Sequence, residues 1–307
     1  MDILLQQIIN GLTLGAVYAV VALGYTMVYG IIQLINFAHG ELVMVGAMVA
    51  LSIVHALAPT GLPSGAVLFI AVAGAVPVCM TLGYAMERLA YRPLRGAPRL
   101  APLITAIGIS IILQHLALLV WSRNPLAFPA IVETRSYTLA GAAITNVQIA
   151  IIVTSIVMMA ALALVVYRTR LGTAMRATAQ NATVAALMGI DANRIIALTF
   201  VMGAGLAAVA GIMVAGYYGI AHYTMGAQLG LKAFCAAVLG GIGNIPGAML
   251  GGVLLGIVEA LGAGYIGDLT GNVFGSNYQD VFAFLVLILV LVFRPSGLLG
   301  ERVGDRA

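Results

Sequence analysis

The sequence predicts an all-α, polytopic membrane protein with roughly eight to ten transmembrane or re-entrant helices. Three observations predict it. Of 307 residues, 62% are hydrophobic and 8% are charged, whereas soluble globular chains carry about 25% charged residues. The mean hydropathy is +1.10. The few charges are also bunched, so residues 3–40, 42–86, 100–122, 136–167, 195–231, 233–258 and 281–293 contain no Asp, Glu, Lys or Arg. Each crossing needs about 20 apolar residues. Disorder requires low hydrophobicity, and a transmembrane barrel requires alternation where this chain has continuous runs. Both are excluded.

The opening, MDILLQQIINGL, lacks a basic region and a small-residue cleavage site, so it reads as a retained span near 8–28 and not as a removed signal. The rest of the first 40 residues fits either a re-entrant piece or a second short span, which leaves the side of the N-terminus open. Spans follow near 41–57, 66–86, 101–121, 148–167, 195–216, 229–243, 247–265 and 279–293. Arg88, Arg92, Arg95 and Arg99 fill one hydrophilic break, Arg168, Arg170, Arg176 and Arg194 a second, and Arg294, Arg302 and Arg306 the tail. The breaks at 123–146 and 266–280 hold two Arg and none. The positive-inside rule therefore places 87–99, 168–194 and the C-terminus in the cytoplasm. Parity then requires that 229–243 and 247–265 both cross, or that neither does. The net charge of +4 reports topology and not nucleic-acid binding.

Glycine numbers 37. Spacing of four recurs as Gly11/Gly15, Gly226/Gly230, Gly243/Gly247, Gly247/Gly251 and Gly252/Gly256, which lets helix backbones approach closely in lipid. The run VLGGIGNIPGAMLGG (238–252) is dense enough in Gly and Pro to read as a broken helix at a cavity or subunit seam.

Three charges lie in apolar context: Glu41 in HGEL, Lys232 in GLKAF (the only lysine) and Glu259 in IVEAL. An ionised side chain at the centre of a span costs about 2.5–3.5 kcal/mol on insertion scales. Two readings fit Glu41 and Lys232: snorkelling from span ends or service on a solute pathway. Glu259 is deeper and calls for an internal partner, for which Lys232 is the candidate. His39 has only Glu41 nearby, and His222 has no second ligand at metal-binding spacing, so no metal site is expected. Cys79 and Cys235 sit in apolar runs and read as small packing residues. No phosphate loop, nucleophile elbow or dinucleotide fingerprint is present, so no catalytic residue is assigned and the chain reads as a transport component, not an enzyme.

The 168–194 break, RTRLGTAMRATAQNATVAALMGIDANR, contains an Ala-rich stretch at 173–188 of good helix formers. Ala182, Ala185, Ala186 and Met188 supply apolar positions, Arg176, Gln180 and Asn181 polar ones, and Gly189 a helix stop. Such a helix either lies on the membrane surface or presents a docking face to a partner.

GLTLGAVYAVVALGYTMVYGIIQLINFAHGEL (11–42), ERLAYRPLR (87–95), MGIDANRIIALTFVMGAGLAAVAGIM (188–213), LKAFCAAVLGGIGNIPGAMLGG (231–252) and FRPSGLLG (293–300) together resemble the LivH-type permease of branched-chain amino acid ABC importers. The resemblance runs nearly end to end. It implies that 1–307 form a single transmembrane permease domain of a bacterial inner membrane, with a cytoplasmic coupling segment at 168–194. It implies as partners a LivM-like second permease, two cytoplasmic ATPases carrying ATP and Mg, a periplasmic substrate-binding protein and the lipid bilayer. In that segment Arg176, Ala177, Ala186, Gly189, Ile190 and Arg194 keep the family pattern. Gln180 and Asn181 stand where an acidic residue is common, which puts any ion pair with the ATPase in doubt.

Pathway candidates are the polar patch Asn36–Glu41 with His39, the patch Gly240–Gly247 with Gly241 and Asn244, the charges Lys232 and Glu259, and Tyr25, Tyr29, Tyr217 and Tyr218. Tyrosines at these depths equally suit interface belts. Two other functions compete: the same architecture moving urea or short amides, and a stand-alone channel or secondary transporter using Glu259 for ion coupling.

Overall fold

The computed structural model describes residues 2–98, 100–131, 133–139, 141–269 and 278–300. Arg99, Arg302, Arg306 and most of the 266–280 break lie outside the described residues. Among those described, the helices are α1 (Asp2–Ile32), α2 (His39–Leu57), α3 (Ser64–Met86), α4 (Leu100–Val120), α5 (Asn146–Arg168), α6 (Arg170–Gln180), α7 (Ala182–Leu187), α8 (Ala192–Tyr218), α9 (Met225–Gly240), α10 (Ile245–Leu269) and α11 (Gln279–Phe293). Seven are long and apolar enough to cross a membrane, and α9 and α11 are shorter apolar helices. The first 40 residues settle into one uninterrupted helix of 31 residues, about 46 Å long at 1.5 Å per residue. The short-span alternative is gone: nothing between residues 2 and 32 breaks the hydrogen-bond ladder, and the chain turns only at Gln33, with φ 52°.

The chain forms two compact units. One comprises residues 27–133 and 160–231; the other comprises 1–26, 134–159 and 232–307. Helices α1, α5 and α9 contribute to both.

In the first unit, α2, α3 and α8 pack on one another. Small residues make this possible. A Cβ on Gly211 would collide with the Val43 carbonyl, one on Gly46 with the backbone of Ala208, and one on Gly83 with the Ala204 side chain. Backbone-to-backbone packing of this kind replaces the hydrophobic drive that lipid removes. The outer faces of α3 and α4 present Phe69, Ile104 and Leu119, all strongly exposed, as lipid-facing residues should be. Beyond α3 the chain continues through a π turn (Glu87–Tyr91) and a single 3-10 turn (Arg92–Leu94). A short antiparallel ladder joins β1 (Leu126–Ala127) to β4 (Ile220–Ala221). 

In the second unit, β2 (Ser136–Leu139) and β3 (Ala142–Thr145) form a hairpin. The N-terminal part of α1 packs on α10: Gly11 and Gly15 face the backbone of Ile257 and Val253, and Gly252 and Gly256 face Ala19 and Gly15. The 238–252 run is two helices meeting at a tight turn, not one helix interrupted. Gly241 and Gly243 take φ of 105° and 95° in that turn, a conformation glycine adopts without steric cost. Gly247 then lies on Gly240, and Gly251 on Ala236, so α9 and α10 run back along each other. The segment after α11 closes over this turn, with Leu298 N–H donating to Leu239 O at 2.9 Å and Leu299 N–H to Gly240 O at 3.0 Å.

These contacts make one prediction. Gly252→Val should lower the thermal stability of the detergent-solubilised protein by about 1–3 kcal/mol, the usual cost of overpacking, because the new Cβ meets the Ala19 backbone. Gly216→Ala, on a helix position with open space around it, should leave the melting curve unchanged.

Candidate functional site

The 168–194 segment is built from local signals at every joint. Thr169 caps α6, its Oγ1 accepting from Gly172 N–H at 3.2 Å. Gly172 must be glycine-sized, because a Cβ there would strike the Val165 and Val166 carbonyls. Arg176, though exposed, folds back on the end of α5: its guanidinium donates to the Val166 carbonyl and lies 5.9 Å from the Tyr167 ring centroid. It thus braces the α5–α6 corner. The sequence predicts one helix over 173–188; the structure breaks it at Asn181, whose Oδ1 accepts from Thr183 N–H at 3.0 Å and Val184 N–H at 3.1 Å. An Asn at this position ends one helix and starts another, since its side chain competes for backbone donors. Gln180 and Asn181 are both exposed, but the Asn181 carbonyl oxygen is already used as a cap.

Helix α7 stops at Gly189, with φ 84°. Ile190 N–H donates to Ala185 O and Gly189 N–H to Ala186 O, both at 3.0 Å, the paired bonds of a Schellman stop. Asp191 then caps α8, accepting from Asn193 N–H at 2.9 Å and Arg194 N–H at 3.2 Å. The result is a short, stiffly held helix that packs Ala185 inward and turns its other side out. Leu187 is 82% exposed and Met188 79%, with Val184 beside them. Residues three and four apart share a helix face, so these three form one apolar ridge. Ala182 and Ala186 flank it, exposed; Ala177 and Ile190 are half-buried and Arg194 is exposed.

A second cluster lies inside the first unit. Glu41 is fully buried, and its Oε1 accepts from Ser110 Oγ at 2.8 Å and Gln114 Nε2 at 2.7 Å. Ser110 and Gln114 lie four apart on α4, on one face. Snorkelling is therefore overturned for Glu41: donors on a neighbouring helix stabilise the carboxylate where it is, so it has no need to reach water. Its Oε2 points to Gly226, where a Cβ would lie 2.7 Å away, and has no hydrogen-bond partner among the described residues. Close by in sequence, His39 is buried, and Asn36 Oδ1 accepts from Tyr91 Oη at 2.6 Å. Tyr91 in turn packs on Phe200, ring centroids 5.1 Å apart.

The third cluster belongs to the other unit. Lys232 Nζ lies 2.7 Å from Glu259 Oε1 and 2.7 Å from Asp280 Oδ1, and 5.9 Å from the Tyr18 ring centroid. The Lys232–Glu259 contact expected from the sequence is present, and Asp280 adds a third charge that sequence reasoning missed. Two carboxylates hold the Lys232 ammonium, the buried Glu259 and the half-exposed Asp280. The remaining candidates scatter. Tyr25 is buried against Phe234, ring centroids 6.0 Å apart, and Tyr29 is half-buried. Tyr217 and the exposed Tyr218 form an edge-on pair at 5.1 Å. Gly240 and Gly241 are buried in the α9–α10 turn, and Asn244 Nδ2 donates to Leu299 O at 2.8 Å. Close packing accounts for all three.

One network had no expectation attached to it. Glu87, fully buried, receives Arg92 through Nε at 3.3 Å and Nη2 at 3.2 Å, and also the Arg95 guanidinium. Arg95 reaches on to Asn193 Oδ1 at 2.5 Å. Burial pulls the Arg95 guanidinium below its ordinary value, and the Glu87 carboxylate opposes that shift. Spacings of five and eight do not align on a regular α-helix, but the π turn at 87–91 changes the rotation. Among the described residues no group of three or more His, Cys, Asp or Glu could hold a metal.

The chain is similar to known proteins over nearly its whole length. It is 49% identical over 302 residues (97% of this chain, 96% of the relative) to the high-affinity branched-chain amino acid transport system permease protein BraD of Pseudomonas aeruginosa. It is 45% identical over 303 residues, with the same coverage, to the corresponding permease protein LivH of Escherichia coli. A probable branched-chain amino acid transport permease protein LivH of Methanocaldococcus jannaschii is 29% identical over 289 residues (91% of this chain, 87% of the relative). No solved structure matches the chain. Residues 7–291 match the family model described as branched-chain amino acid transport system / permease component. With that match, and with seven helices among the described residues long and apolar enough to cross a membrane, the chain belongs to the branched-chain amino acid transport permease family, as a multi-pass membrane subunit of an ABC importer.

Proposed function

We propose that this chain is one half of the membrane pathway of an ATP-driven importer for branched-chain amino acids, folded as one permease domain over 1–307. A LivM-like permease supplies the other half. A periplasmic binding protein delivers the substrate, and two cytoplasmic ATPases, with ATP and Mg, supply the motion. The basic breaks and the C-terminus face the cytoplasm under the positive-inside rule.

The apolar ridge Val184–Leu187–Met188 supports this reading most directly. A large exposed apolar ridge on a rigid mount marks an interaction surface, and helix-in-groove docking uses anchors with this spacing. Leu187 and Met188 would seat in a cleft of the ATPase. Gly189 and Asp191 hold the ridge at a fixed angle to α8 through backbone hydrogen bonds. Arg176 keeps α6 tied to the end of α5, so a displacement of α7 would be passed to α5 and α8 and not absorbed in the loop. Of the eight residues assigned to coupling, Ala177, Gln180, Asn181, Ala186, Ile190 and Arg194 would form the rest of the seat or its frame. On the pathway side, the unfilled acceptors Glu41 Oε2 and Glu259 Oε2 suit transient contact with an ammonium-bearing solute.

Uptake into proteoliposomes that hold the chain with its ATPases, second permease and binding protein tests the substrate reading. Labelled leucine should accumulate only with internal ATP, and isoleucine and valine should compete while urea and acetamide do not. Competition by urea or acetamide, with none by the amino acids, would overturn it.

A further inference from the structure

We propose that a cleft between the end of α3 and the start of α8 binds the headgroup of an anionic phospholipid. The cleft holds about 420 Å³. Arg88, Arg92 and Arg194 line it, together with Tyr84 on one wall and Leu198 and Val201 on another. Both helices end here, so the cleft sits at the depth where a span passes from hydrocarbon to headgroups.

The charge balance decides the sign of the guest. Around the cleft stand four guanidiniums (Arg88, Arg92, Arg95 and Arg194) against two carboxylates (Glu87 and Asp191). Glu87 is committed to Arg92 and Arg95. Asp191 has Oδ1 committed to the α8 cap. Arg88 Nη1 donates to the neutral Tyr84 hydroxyl at 3.0 Å, and the described residues place no carboxylate in salt-bridge range of Arg88 or Arg194. Two fork-shaped cations without an anion, facing one cavity, suit a phosphodiester that accepts bidentate bonds.

The walls decide between a lipid and a soluble anion. Leu198 and Val201 continue the cleft along α8 towards the apolar span, and Leu89, beside Arg88, is 77% exposed. A free phosphate would find no use for that surface, whereas a lipid lays its glycerol and first acyl carbons along it. Basic pockets between spans are a known setting for acidic headgroups. The proposal concerns neither the transported solute nor the α7 ridge; Arg194 is the one residue it shares with the coupling segment, and lipid retention and ATPase binding are therefore read separately.

The test uses the full-length chain in nanodiscs of phosphatidylcholine doped with phosphatidylglycerol, released gently and weighed by native mass spectrometry for retained lipid. The wild type should carry phosphatidylglycerol in preference to phosphatidylcholine. R88Q/R194Q should lose that preference by about 30-fold, since a basic residue near the membrane surface contributes about a factor of five. R88K/R194K, which keeps the charge but not the fork, should retain part of it and confirm that the protein remains folded. R123Q/R135Q removes the same charge elsewhere and should retain all of it. Equal retention by the wild type and R88Q/R194Q would overturn the proposal. So would displacement of the lipid by inorganic phosphate, which assigns the cleft to a soluble anion. If purified ATPase subunits added to the same nanodiscs bind the wild type but not R88Q/R194Q, with lipid retention unchanged, the cleft is a protein contact and the proposal is overturned equally.

Discussion

Leu187→Asp is expected to leave the protein inserted and folded while ATP-driven leucine uptake falls by at least about 30-fold. An apolar anchor at the centre of an interface contributes about 2 kcal/mol or more, a factor of about 30 in affinity. An aspartate also forces a charge into whatever groove the anchor fills. Leu187 is 82% exposed and touches little of its own chain, so the substitution has no comparable route to destabilise the permease. Binding of purified ATPase to the solubilised permease should drop in parallel. Gly189→Val probes the mount and not the anchor: φ of 84° is unfavourable for a branched residue by about 1–2 kcal/mol. It should reduce uptake less than Leu187→Asp and leave substrate-independent ATP turnover partly intact. A charge at Ala186, on the flank of the ridge, should uncouple hydrolysis from uptake in the same way. Unchanged uptake in all three variants would remove the docking role from α7.

Lys232→Met should be the most damaging single change to the stability of the membrane portion. Glu259 is nearly fully buried, and Asp280 shares the same ammonium, each oxygen 2.7 Å from Nζ. Removing the cation leaves the buried Glu259 carboxylate unpaired beside the half-exposed carboxylate of Asp280, and breaking a buried pair this way costs about 3–5 kcal/mol. The expected result is a sharp loss of folded protein in membranes and a lowered melting transition. If uncompensated charge is the cause, Lys232→Met combined with Glu259→Leu and Asp280→Asn should recover most of the folded protein, because apolar replacements of a buried ion set are often neutral. A triple variant as unstable as the single one would show instead that the lysine stem packs against Tyr18 and that charge matters little.

Much of this architecture was legible in the sequence because lipid imposes a simple rule: uncharged runs of sufficient length become spans. The expected span at 195–216 lies within α8, and the one at 279–293 matches α11. The first 40 residues resisted that rule, since a charge-free run gives no internal boundary; only the continuous backbone ladder shows a single helix. Spacing of small residues pointed correctly to close helix contacts, but not to their partners. Gly11 and Gly15 find α10, some 240 positions away in the chain, a distance local patterns do not encode.

The candidate site was legible where its chemistry is local. Gly189 as a stop follows from glycine's freedom at positive φ. Asn181 as a cap carried an equally local signal, and Ala-rich composition masked it. The ridge was harder to see, because Ala182, Ala185 and Ala186 invited attention while Val184 and Leu187 carry the exposed area. Partners of buried charge were read only when they were charged and conspicuous. Glu259 led to Lys232, but the donors to Glu41 are the neutral Ser110 and Gln114, and Glu87 meets Arg92 and Arg95 only because a π turn alters the register.

The central claim is that this permease has no motor of its own and is driven through α7. Leucine accumulation, followed in proteoliposomes containing this chain alone and in others containing it with both ATPases, the second permease and the binding protein, tests that claim most directly. The account predicts accumulation only in the complete assembly, dependent on internal ATP and lost with Leu187→Asp. Accumulation by the lone chain under a proton or sodium gradient would contradict it.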